Sequence, residues 1–99
     1  MNVITIMSCP LTSYPELLKR AKEVFAAPDR PDYMEWIGVW GYLNGENWEG
    51  IQVFKVERSR IADAVERNDS FFFEKYGDIP GFSFQNRVAY DHEESFKMF

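Results

Sequence analysis

The sequence predicts an α+β fold: a four-stranded antiparallel sheet with two helices on one face and a short C-terminal tail helix. Three observations lead there. The hydrophobic period switches between about two and about 3.6 along the chain, giving the order β-α-β-β-α-β. A turn-forming Asn44-Gly45-Glu46-Asn47 joins the two middle strands as a hairpin. The chain has 99 residues, 45% of them hydrophobic, which suits a single domain over 1–99 with one core.

Val3 to Met7 is a short β-branched run stopped by Ser8-Cys9-Pro10, and reads as the first strand. Ser13-Tyr14-Pro15-Glu16 has the form of a capping box, with proline in the first turn. Leu17, Leu18, Ala21, Val24 and Phe25 follow at helical spacing until Pro28 and Pro31 end the helix. From Tyr33 to Leu43 the period is two, with Met34, Trp36, Trp40 and Tyr42 on one side and Ile37, Val39 and Leu43 on the other. The return strand runs from about Trp48 to Val56. Ser59 is placed to cap a second helix reaching about Arg67, and Asn68-Asp69-Ser70 breaks or kinks it before Phe71-Phe72-Phe73, which reads as a lid over one end of the core. After the turn-rich Tyr76 to Gly81, alternation of Phe82, Phe84, Val88 and Tyr90 with polar residues marks the last strand. Asp91 and Glu94 form a second capping-box pair, opening a tail helix that carries Phe96 and Phe99.

This order with right-handed crossovers is the ferredoxin-like βαββαβ arrangement. Two helices cover one side of such a sheet. The set Ile4, Ile6, Ile37, Val39, Leu43, Phe82, Phe84 and Val88 suits the covered side. The open side then carries Val3, Thr5, Met7, Met34, Trp36, Trp40, Tyr42, Ser83, Gln85 and Arg87. Large rings mixed with hydrogen-bonding groups on a bare face call for a covering: a second copy, a ligand or nucleic-acid bases.

The hairpin Gly41-Tyr42-Leu43-Asn44-Gly45 and the strand-to-acidic-helix passage Arg87-Val88-Ala89-Tyr90-Asp91-His92-Glu93-Glu94 give the chain a resemblance to the dimeric α/β-barrel superfamily. It is most similar there to small stand-alone families without an established activity. The resemblance implies a homodimer formed by packing open sheet faces together. Related enzymes include cofactor-free monooxygenases and haem-degrading enzymes that use an Asn on the first strand, a Trp in the sheet and a His on the second helix. Here Asn2 lies at the start of strand one and helix two has no His, so the activity is not carried over.

Other candidates have plainer readings beside the functional ones. His92, the single imidazole, is either a proton shuttle or metal ligand, or a solvated residue in the first turn of the tail helix. Cys9 is either a thiolate activated by a helix N-terminus or a small buried residue. Being single, it forms no internal disulfide, which fits a reducing cytoplasm. Arg87 is suited to a ligand carboxylate or phosphate, or to an ion pair with Glu35 or Glu57. Trp36, Trp40 and Tyr42 serve as pocket walls, as interface anchors or as both.

A net charge of −5 is the wrong sign for a phosphate-backbone binder, and Glu49-Gly50-Ile51-Gln52-Val53-Phe54 lacks the basic head of an RNA-recognition strand, so no nucleic acid is expected. No apolar run reaches the ~20 residues of a membrane span, and Met1 to Ile6 has no signal-peptide pattern, so a cytoplasmic protein without a membrane partner is expected. There is no P-loop, GxGxxG, CxxC pair, HExxH or GxSxG, and no cofactor or metal is expected. The sequence thus predicts a homodimer that binds a small, partly apolar molecule in a sheet-lined cleft, through Thr5, Trp36, Trp40, Tyr42, Gln85 and Arg87. The alternatives are a protein-interaction module and, third, a cofactor-independent monooxygenase-like enzyme.

Overall fold

The structure, a computed structural model, describes residues 1–98. The strands are β1 (Asn2–Pro10), β2 (Met34–Asn44), β3 (Asn47–Val56) and β4 (Ser83–Ala89), and the helices are α1 (Tyr14–Ala26), α2 (Ile61–Tyr76) and α3 (His92–Met98). All pairings are antiparallel in the order β2-β3-β1-β4, so the fold is α+β with an open four-stranded sheet and three helices. No helix among the described residues is long and apolar enough to cross a membrane. The expected Phe99 of the tail helix lies outside the described residues.

Leu17 of α1 and Phe72 and Tyr76 of α2 pack with Met7 and Cys9, which fixes the odd-numbered residues of β1 as the covered face. Paired residues point to the same side, so the ladders carry that assignment across the sheet. Val3, Thr5, Met7 and Cys9 face the helices, opposite Phe54, Gln52, Gly50 and Trp48 of β3. On β4 the partners of Val3, Thr5 and Met7 are Val88, Asn86 and Phe84. Ile4 and Ile6, expected on the covered side, therefore stand on the open face, and Val3, Thr5 and Met7, expected on the open face, are core. Both alternating sets of β1 are apolar, so alternation alone did not orient the strand.

β2 departs from strict alternation. A bulge between Trp36 and Gly38 leaves Ile37 unpaired and exposed. Before it, Met34 and Trp36 pair with Val56 and Phe54 on the covered face; beyond it, Trp40 and Tyr42 pair with Ile51 and Glu49 on the open face. Met34 and Trp36 are thus separated from the rings with which they were grouped. The hairpin turns on Gly45 at φ +63°, with positive φ at the first loop residue only, the type II′ pattern.

Three local expectations are corrected. Ser13 makes no capping bond; its Oγ donates to the Pro80 carbonyl at 2.7 Å, and Glu16 pairs with Arg20 instead. Ser59 lies inside a 3-10 turn (Arg58–Arg60) rather than capping α2. α2 runs unbroken through Asn68-Asp69-Ser70, because Ala64, Asn68, Phe72 and Tyr76 form one stripe that the sheet buries. Of the three phenylalanines, Phe72 is core and Phe73 is 74% exposed. The Asp91/Glu94 capping box is present: Glu94 N–H donates to Asp91 Oδ1 at 2.8 Å and Asp91 N–H to Glu94 Oε1 at 3.3 Å.

The covered side is two apolar clusters divided by a polar row. One holds Met7, Cys9, Leu17, Phe72, Tyr76 and Ile79; the other holds Val3, Met34, Phe54, Val56 and Ala64. Between them lie Gln52, Thr5 and Asn86, neighbours across three strands. Thr5, fully buried, donates to Asn86 Oδ1 at 2.6 Å, and Asn86 Nδ2 donates to Asp69 of α2 at 2.6 Å.

Candidate functional site: a groove between the helices

α1 ends at Ala26 and leaves the β2–β3 half of the sheet partly uncovered on the helix side. The result is a groove of about 890 Å³, within the range typical of small-molecule sites. Its floor is Met34 and Trp36 of β2 with Gln52 and Phe54 of β3. One wall is the end of α1 with the following Ala27–Arg30 segment; the other is the α2 face bearing Asn68, Phe71 and Phe72.

Two buried polar atoms lack a hydrogen-bond partner among the described residues, Trp36 Nε1 and Asn68 Nδ2. Both belong to residues lining this groove, and Asn68 is only 4% exposed. A buried donor left unpaired costs about 1–3 kcal/mol. The Trp36 ring is met edge-on by Phe25, centroids 5.8 Å apart, and the Arg30 guanidinium lies 5.6 Å from its centroid. Arg60 and Arg20, also on the rim, are engaged: Arg60 pairs with Asp63 at 2.8 Å and stacks on Tyr33, while Arg20 bonds Glu16 and Asp78 and donates to the Lys75 carbonyl. Arg30 and Arg67 form no ion pair among the described residues; Arg67 donates to the Asp29 carbonyl.

The six residues singled out in the sequence fall into two groups. Thr5 and Trp36 are on the helix side, Thr5 inside the polar row and Trp36 on the groove floor. Trp40, Tyr42, Gln85 and Arg87 are on the open face, but on opposite edges. Trp40 and Gln85 end one row, Trp40–Ile51–Ile6–Gln85, three strand spacings or roughly 14 Å apart. Arg87 Nη2 donates to Gln85 Oε1 at 2.9 Å, rather than to Glu35 or Glu57. Tyr42 pairs across the hairpin with Glu49, and that carboxylate raises its phenol pKa.

Chemistry elsewhere is sparse. Burial pushes the Cys9 thiol pKa up, the reverse of an activated thiolate. His92 is exposed at the start of α3 against Phe96. Among the described residues there is no group of three or more His, Cys, Asp or Glu able to hold a metal. The sequence reading missed Asn68 and Gln52. The signal for Asn68 was there: it sits four residues from both Ala64 and Phe72, a polar residue inside an apolar helical stripe.

Comparison with protein-family models, with curated proteins and with solved structures gave no match.

Proposed function

We propose that this chain is a small-molecule-binding protein whose site is the groove between α1 and α2, and that it pairs with a second copy through its open sheet face. The observation that carries the binding reading is the unpaired donor on Trp36 and on Asn68 in an aromatic-walled groove. A protein interior normally satisfies such atoms, and a bound molecule is the ready source of acceptors. The ferredoxin-like assignment belongs to the same reading. It is supported by the element order and by the strand order, which from the other edge reads β4-β1-β3-β2.

Pairing is supported by the open face itself. Ile4, Ile6, Ile51 and Val53 form its centre beside Trp40, with Gln85 and Arg87 on one rim and Glu35 and Lys55 near the other. Trp40 is 57% exposed and Ile6 43%, high for large apolar side chains gathered on one face. Four strands spaced ~4.8 Å apart give this face a footprint of roughly 500 Å² before side-chain relief, somewhat below the ~800 Å² that each partner of a standard interface buries.

Native mass spectrometry of the untagged protein tests both parts. Two chains with an additional bound mass is the expected result. Two bare chains that stay bare after incubation with a library of small aromatic compounds count against the groove. A monomer at tens of micromolar removes the homodimer and favours the interaction-module reading of the open face.

A further inference from the structure

Both unsatisfied atoms belong to residues that line the groove, both are shielded from solvent and both are hydrogen-bond donors; for Trp36 the chemistry allows nothing else, since an indole nitrogen only donates. We infer that the groove's ligand is a flat, largely apolar molecule that carries a carbonyl or carboxylate oxygen to the Trp36 and Asn68 donors; this rests on the groove being the binding site. The walls argue for flatness and apolarity. Phe54 and Phe72, 7% and 2% exposed, line the deep part, and Phe25 closes edge-on over the Trp36 indole. A ligand lacking oxygen leaves both donors unpaired, as they are in the free protein, whereas one that brings an acceptor relieves that cost, and buried polar groups favour the molecule that pairs them.

The rim is consistent with either oxygen type. Arg30, over the Trp36 ring and without an acidic partner among the described residues, is placed to meet a carboxylate. A neutral carbonyl needs only the two donors. Phe25 is 48% exposed, and Arg30 belongs to the segment after α1, so the groups that cover the indole are surface groups able to swing aside for entry.

Three probes of one shape separate these cases: 2-acetylnaphthalene with a neutral carbonyl, 2-naphthoate with a carboxylate, and 2-ethylnaphthalene with neither. Titrations followed by side-chain N–H resonances read affinity and site together. The expected result is that an oxygen-bearing probe binds at least tenfold more tightly than 2-ethylnaphthalene, about 1.4 kcal/mol. The Trp36 Nε1–H and Asn68 Nδ2–H protons move downfield as it binds. Asn68→Leu, close in size and without the orphan donor, loses most of that preference while still binding 2-ethylnaphthalene. Trp36→Phe gives a second, independent reading should Asn68→Leu fold poorly. Preference for 2-naphthoate that disappears in Arg30→Gln assigns the carboxylate; equal binding of the two oxygen probes assigns the carbonyl. If 2-ethylnaphthalene binds as tightly as the others, shifting groove resonances but leaving the two donors unmoved, the oxygen requirement is overturned and the groove reading survives. If no probe moves any groove resonance, both fall.

Discussion

Gly50→Ala is expected to destabilise the fold through one aromatic ring. The Trp48 indole lies over Gly41 and Gly50, which pair directly across β2 and β3 on the covered face, and the Tyr14 ring stacks on it with centroids 5.2 Å apart at 22°. A Cβ on Gly50 meets indole Cζ2 at 2.8 Å and Cη2 closer still. Carbon atoms settle at about 3.5–4.0 Å, so the ring has to move by about 1 Å. Sliding sideways brings no relief, because a Cβ at Gly41 comes within 2.5 Å of Nε1 and the neighbouring strand is equally close. Overpacking of this kind costs about 1–3 kcal/mol. In a domain of this length that lowers Tm by roughly 5–20 °C. The sign is diagnostic, since replacing a strand glycine by alanine with no steric conflict stabilises by about 0.4–1 kcal/mol. Thermal unfolding followed by circular dichroism measures the shift. A double-mutant cycle with Trp48→Leu isolates the ring's share, because the alanine should be tolerated once the indole is gone. A Tm that is unchanged or raised in Gly50→Ala, or strict additivity in the cycle, refutes the reasoning.

Three further outcomes are expected. The Arg20 guanidinium holds the Asp78 carboxyl below the ordinary carboxylate value, so the pair's contribution is present above that value and is lost as pH falls through the depressed one; Asp78→Asn should therefore flatten the decline of Tm on acidification. Equal acid sensitivity in the variant and the parent would mean that this pair carries none of it. Cys9 is fully buried with its pKa pushed up, so iodoacetamide at neutral pH should label it only in denaturant, and prompt labelling of the native protein would place it elsewhere. Asp91→Ala removes the side chain that accepts from the Glu94 amide, and hydrogen exchange at Glu94 should rise several-fold while the sheet amides are unchanged; unaltered exchange there would show that α3 is held by other contacts.

Element type was largely legible in the sequence because period and turn chemistry agree at most positions. Pro28, Pro31 and Gly45 are strong local signals, and each falls in a connection between two elements. Orientation was not legible. In β1, Val3-Ile4-Thr5-Ile6-Met7 offers an apolar set to either face, and only the packing of Leu17 and Phe72 decides between them. In β2 a single inserted residue moved Trp40 to the face opposite Trp36, and nothing local in Trp36-Ile37-Gly38 announces a bulge beyond the glycine. Asn68-Asp69-Ser70 carries weak helix propensity, yet burial of the stripe on either side of Asn68 outweighs it. Trp36 was expected on the open surface and stands instead on the covered one, at the floor of the groove. The same bulge parts Trp36 from Trp40 and Tyr42, whereas Thr5 parts from Gln85 and Arg87 because it pairs with Asn86 on the covered face.

The polar row through the core has a consequence for how the strands find one another. Alternation excludes a one-residue slip, which would turn a strand inside out, but it is blind to a two-residue slip that keeps every side chain on its own face. Here a two-residue slip of β4 against β1 would set Thr5 beside Phe84 or Val88 and strand Asn86 among apolar groups, breaking both of its hydrogen bonds. Because Asn86 also holds Asp69, the same contact sets how far along the sheet α2 sits. One half-buried asparagine thus selects a single alignment of helix and strands from a ladder of alternatives that alternation alone does not tell apart.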